Sequence, residues 1–139
     1  MQEPARLVLA IALAVIVAYL IGSISFSIIF TELFDKKDIR EMGSGNAGMT
    51  NVLRSAGMKP GVLTTICDFG KGIVACLLGA VIFSAVLGGS DGLAIWGWGT
   101  EPYRYGTYVA GIGCILGHMF PIFFGFRGGK GGLTTAEKN

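Results

Sequence analysis

Gly43-Ser44-Gly45-Asn46-Ala47-Gly48-Met49-Thr50-Asn51-Val52-Leu53-Arg54 is small, polar and glycine-spaced, and it lies between two long apolar runs. The side chains of Ser44, Asn46, Thr50 and Asn51 can each hydrogen-bond an anion or a hydroxyl. Arg54 adds a planar, permanently charged fork suited to phosphate or carboxylate. Gly43, Gly45 and Gly48 allow positive φ and close backbone approach, from which anion-cradling nests are built. The same composition also serves a flexible connection between two membrane helices. Spacing alone leaves both readings open.

On the N-terminal side, residues 7–31 carry no charge, which predicts a helix long enough to cross a hydrocarbon core of about 30 Å. Glu3 accompanies Arg6 ahead of it, and the run exceeds the roughly 7–15 apolar residues of a signal peptide, so a retained span is expected. Ser23, Ser25 and Ser27 near its end are read as packing residues. On the C-terminal side a second span is expected over about 61–89. Asp68 and Lys71, three residues apart, share a helical face there and are expected to pair beside a site. A third span is expected over about 105–126. Gly113 and Gly117 give it a GxxxG seam, His118 is the sole histidine, and Pro121 should kink or end the helix. Trp96, Trp98, Tyr103 and Tyr105 read as an interfacial aromatic belt.

Hydrophobic residues make up 52% of the 139, charged residues 14%, and the mean hydropathy is +0.63, so the class is an all-α integral-membrane protein of one domain. The net charge of +2 and the lack of a basic run exclude nucleic acid as a partner. Cys67, Cys76 and Cys114 have no metal-ligand or disulfide spacing, and no carboxylate cluster implies a metal. No cofactor is implied either. The segment from Lys36 to Lys59 holds five Lys/Arg, whereas the loop between the second and third spans holds only Arg104. The positive-inside rule therefore puts the first loop in the cytoplasm and the N-terminus outside. The second glycine-rich stretch, Gly125-Phe126-Arg127-Gly128-Gly129-Lys130-Gly131-Gly132, then falls on the same side. Two such loops on one face, with Arg54, Arg127 and Lys130, favour the anion site over the plain connection.

Known chemistries narrow this further. Phe124 and Gly131 break the P-loop pattern around Lys130, which argues against nucleotide hydrolysis. One histidine with no acid beside it assembles no nucleophilic triad. Positioning and charge stabilisation remain.

The run Asp38 to Arg54 resembles the first motif of the bacterial acyl-phosphate:glycerol-3-phosphate acyltransferases. Gly117-His118-Met119-Phe120-Pro121 followed by Phe126-Arg127-Gly128-Gly129-Lys130-Gly131 resembles the second, and Asp68-Phe69-Gly70-Lys71-Gly72 and Gly22-Ser23-Ile24 match the helices around them. The resemblance implies an all-helical inner-membrane enzyme with three of its helices and two cytoplasmic loops here, part of a larger bundle. It implies acyl transfer from acyl phosphate to the 1-hydroxyl of glycerol 3-phosphate, giving lysophosphatidic acid and phosphate. By similarity Ser44, Arg54 and Lys130 are catalytic. Gly45, Asn46, Thr50, Asn51, Gly128, Gly129 and Gly131 then bind substrate. Ser25 and Met49 depart from the family's usual Pro and Ala. Further helices and a third His/Asn/Glu motif are expected in the family, so this chain should cover about two-thirds of a member: either it is a fragment, or a second polypeptide or self-association completes the bundle, or it is inactive. The rival readings are a catalytically incomplete membrane protein that binds phosphate-bearing lipid precursors, and an anion transporter or channel subunit.

Overall fold

The computed structural model describes residues 3–87 and 103–127. Every element among them is helical: α1 (Glu3–Gly22), α2 (Phe26–Asp35), a 3-10 turn (Ile39–Glu41), α3 (Met49–Ser55), α4 (Met58–Leu87), α5 (Tyr103–Met119) and a second 3-10 turn (Ile122–Phe124). Among the described residues three stretches are long and apolar enough to cross a bilayer: Pro4–Asp35, Met58–Leu87 and Arg104–Phe124. The expected class, an all-α membrane protein with three spans, holds.

The chain groups into two compact units, one of residues up to Gly22 with Lys71–Gly117, the other of Ser23–Gly70 with the residues from His118 onward. The first unit packs through small side chains. Ala10, Ala14 and Ala18 are buried, and with Gly22 they repeat every four residues, forming one ridge of α1. Ala10 and Ala14 meet Phe83, while Ala18 meets Ala75, Ala110 and Cys114. A Cβ on Gly113 would lie 2.9 Å from the Val15 carbonyl oxygen, so the glycine of the expected GxxxG seam is where α5 and α1 touch backbone to backbone. Lipid is as apolar as leucine, so such close contacts, rather than escape from water, hold helices together.

The expected single helix over 7–31 is broken. α1 stops at Gly22 and α2 starts at Phe26. Ser25 sits in extended backbone ahead of α2, and its hydroxyl pairs with that of Ser27 at 3.2 Å. The serines read as packing residues are thus the break itself. A broken helix frees carbonyls that lipid cannot solvate. The buried Lys71 ammonium donates to the Gly22 carbonyl at 3.0 Å, putting a cation at the negative end of α1. That carbonyl answers the Lys71 charge.

In the second unit Ile28, Ile39, Ala47 and Val52 form a small core, with Met42, Ala56 and Phe124 against it. This core draws α2, the first 3-10 turn, α3 and the second 3-10 turn around the first motif. The third span also ends earlier than the expected 126: α5 stops at Met119. Pro121 lacks the N–H a helix needs and disfavours helical backbone at the residue before it. The second span runs over Met58–Leu87 instead of 61–89, and residues 88 and 89 lie outside the described residues.

Candidate functional site

Gly43, Ser44, Asn46, Thr50, Asn51, Arg54 and Ser55 line a pocket of about 240 Å³. Four polar residues singled out in sequence, with Arg54, thus meet in one concavity. α3 begins at Met49 and carries Thr50, Asn51 and Arg54 on its first two turns. The preceding loop turns back over α3 because Gly43 and Gly45 take positive φ, 52° and 78°. Gly48 does not: it is extended at φ −135° as the residue before α3, so only two of the three glycines take the positive φ expected of them.

Asn51 organises this loop. Its side chain is buried, and its amide nitrogen donates to the carbonyls of Asn46 at 3.0 Å, Met42 at 2.9 Å and Ile39 at 3.3 Å. Its Oδ1 accepts the Ser44 N–H at 3.3 Å and the Ser55 hydroxyl at 3.0 Å. A Cβ on Gly43 would collide with that Oδ1 and with Ser55 Oγ. Asn51, expected to bind substrate, borders the pocket but spends its hydrogen-bonding capacity on the loop. Asn51→Asp keeps the shape while withdrawing the amide donor from three carbonyls. It should cost about 2–4 kcal/mol of stability, read as a drop in thermal midpoint in detergent with faster amide exchange at Gly45.

The other expected residues divide. Ser44 Oγ accepts the Asn46 N–H at 3.3 Å, and Asn46 Oδ1 is buried with no partner among the described residues, a free acceptor at the pocket wall. Thr50 and Arg54 are exposed at the rim. Gly45 does not line the pocket: it is buried and its N–H is committed to the Met42 carbonyl at 2.8 Å. Lys130, Gly128, Gly129 and Gly131 lie outside the described residues.

Sequence reading passed over one ion pair. Asp38, the first residue of the first-motif run, caps the 3-10 turn by accepting the Arg40 N–H at 2.9 Å, and its carboxylate takes Arg40 Nη2 at 2.7 Å and Nε at 3.0 Å. Partial burial pushes the Asp38 carboxyl upward, but the Arg40 hydrogen bonds and charge, with Arg127 adding to them, leave it below its ordinary value. Because the folded carboxyl titrates lower than the unfolded one, its stabilising contribution is complete above the unfolded value of about 3.9 and vanishes as pH falls through the folded value. The gap in thermal midpoint between wild type and Asp38→Asn should therefore hold from about pH 7 to 5 and close below about pH 3.9. A gap unchanged at pH 3 would refute the pairing. Helical periodicity does not mark this pair, since charges two residues apart do not share a helical face.

Fold and pocket define an all-helical integral membrane protein with a polar, arginine-bearing pocket. The chain belongs to the glycerol-3-phosphate acyltransferase family, whose sequence profile matches residues 12–137. It is 42% identical over 123 residues to glycerol-3-phosphate acyltransferase 2 of Bacillus anthracis, covering 88% of this chain and 55% of that protein. It is 43% identical over 119 residues to glycerol-3-phosphate acyltransferase of Pseudomonas syringae pv. tomato, covering 86% and 53%. Among solved structures it resembles PlsY (YgiH), an integral membrane glycerol 3-phosphate acyltransferase, in its glycerol 3-phosphate form. The TM-score there is 0.62 at 40% identity, over 90% of this chain and 54% of that one. The lysophosphatidic acid form matches with a TM-score of 0.58 at 40% identity, over 91% and 53%. The chain spans about half the length of the relatives it matches, less than the two-thirds expected from its motifs.

Proposed function

We propose that this chain carries the substrate-holding part of an enzyme that moves a fatty acyl group from acyl phosphate to the 1-hydroxyl of glycerol 3-phosphate. The observation that supports it is the pocket, which gathers Ser44, Asn46, Thr50 and Arg54 in a chain 40% identical to a protein solved in a glycerol 3-phosphate form. The reaction makes one ester C–O bond and breaks the bond between the acyl carbon and the phosphate oxygen. The hydroxyl proton leaves with inorganic phosphate. An acyl phosphate is already activated, so no covalent enzyme intermediate is needed; the demand is to hold two anions together and aim a hydroxyl at the carbonyl. Arg54 supplies the charge, Ser44 and Thr50 supply orienting hydroxyls, and a substrate phosphate takes the proton. Lys130, with Gly128, Gly129 and Gly131, supplies the second cationic contact in this reading. The membrane is the bacterial inner membrane, with the first motif on the cytoplasmic side, as the five Lys/Arg between Lys36 and Lys59 favour.

Membranes carrying the chain are assayed for transfer from palmitoyl phosphate to labelled glycerol 3-phosphate, and for binding of the labelled acceptor. Turnover absent from membranes without the chain supports the whole reading. Binding without turnover favours the second reading, a chain that holds substrate without carrying out the transfer. Neither binding nor turnover sinks both.

A further inference from the structure

Gly125 and Phe126, where the chain enters its second glycine-rich stretch, both sit in the left-handed region, at φ 72° and 64°. Glycine does so freely, but a bulky aromatic there is an outlier that its surroundings must hold in place. Packing does not hold it, because the Phe126 side chain is 56% exposed. The carbonyls on either side of this pair are the ones Arg40 takes. Its Nη1 donates to the Phe124 carbonyl and, at 3.3 Å, to the Arg127 carbonyl. Nε and Nη2 of the same guanidinium grip Asp38. The partners are 84 and 87 residues away in sequence.

We propose that Arg40 is a positioning residue. Anchored on Asp38, its guanidinium brackets the left-handed Gly125–Phe126 turn and fastens it to the loop of the first motif. Arg40 does not line the pocket, so it acts through the two segments it joins. The turn carries local bonds that report on it: the Phe124 and Phe126 N–H groups both donate to the Pro121 carbonyl, at 3.1 and 2.8 Å. A further tie, the Ile122 N–H to Ser23 Oγ at 3.3 Å, owes nothing to Arg40. Only a planar fork with several fixed donors serves a carboxylate and two carbonyls at once, so lysine is an incomplete substitute. The consequence for substrate rests on the acyltransferase reading; the clamp itself does not.

The test measures amide exchange on the full chain in detergent, together with binding of labelled glycerol 3-phosphate. In Arg40→Ala, exchange at Phe124 and Phe126 should quicken at least about tenfold, with Glu41 and Met42 following and the amides of α1 and α5 unchanged. Arg40→Lys should fall between wild type and alanine, and it serves where the alanine variant does not fold. Glycerol 3-phosphate affinity should fall about tenfold in Arg40→Ala and recover in part in Arg40→Lys. Wild-type exchange at Phe124 and Phe126 in both variants overturns the clamp. Faster exchange with undiminished affinity overturns the positioning role. If wild type itself binds no glycerol 3-phosphate, the acyltransferase reading fails, and the exchange data still decide the clamp.

Discussion

On the proposed acyltransferase reading, Arg54→Ala should lower acyl transfer to glycerol 3-phosphate at least about a hundredfold while leaving the thermal midpoint within a degree or two of wild type. The asymmetry follows from where Arg54 sits. It is an exposed residue in the last turn of α3, on the wall of the pocket. None of the hydrogen bonds or ion pairs described above uses its guanidinium, so truncation should orphan no buried group, and surface changes of that kind cost about 0.5 kcal/mol or less. Activity has much more to lose. On that reading two phosphate-bearing substrates must approach each other, and a guanidinium on the pocket wall offsets their repulsion. Arg54→Lys keeps the charge but loses the two-pronged geometry, so it should raise KM more than it lowers kcat. Retained full turnover in Arg54→Ala would remove this residue from the mechanism.

The second large effect lies where α4 and α5 cross. Gly79 and Gly106 face each other: a Cβ on either would run into the other's carbonyl oxygen, and one on Gly106 would also press within 2.8 Å of the Phe83 ring. Phe83 is buried, so it cannot swing aside, and the backbones must part instead. Gly106→Ala should cost about 1–3 kcal/mol, and Gly106→Leu should prevent the native packing altogether. Gly111→Ala on the same helix is the control. A Cβ there would meet nothing nearer than Cys76 Sγ at 3.9 Å, so the change should be neutral or stabilising by up to about 1 kcal/mol, the ordinary gain of alanine over glycine in a helix. Thermal unfolding of the three variants in one detergent separates these outcomes. Equal midpoints for Gly106→Ala and Gly111→Ala would mean the crossing is not backbone-tight.

Much of the architecture is legible without coordinates, because crossing a bilayer is a property of composition over a length of chain. A run such as 7–31 betrays itself by the absence of charge, and a cluster such as Ser44, Asn46, Thr50, Asn51 and Arg54 stands out against apolar neighbours. The roles within the cluster are less legible. Asn46 and Asn51 are the same residue type five positions apart. One keeps a buried acceptor unpartnered at the pocket wall, and the other is used up bracing the loop. Composition cannot distinguish them, since the difference lies in which carbonyls the loop brings within 3 Å. The break at Ser23–Ser25 escaped for a related reason: hydropathy adds residue by residue and does not register that Ser23 accepts a hydrogen bond from Ile122, 99 residues on.

The sequence by itself determined that this chain is a helical membrane protein with an arginine-bearing polar motif between long apolar runs, because a long charge-free run satisfies its own backbone in lipid as a helix and makes every polar exception conspicuous. Tertiary structure alone decided that the first span is broken, that Gly79 pairs with Gly106, that Asn51 braces the motif and that Arg40 ties it to the Gly125–Phe126 turn. Each of these depends on a hydrogen bond or a backbone contact between specific atoms, and such contacts are set by geometry after the helices have met.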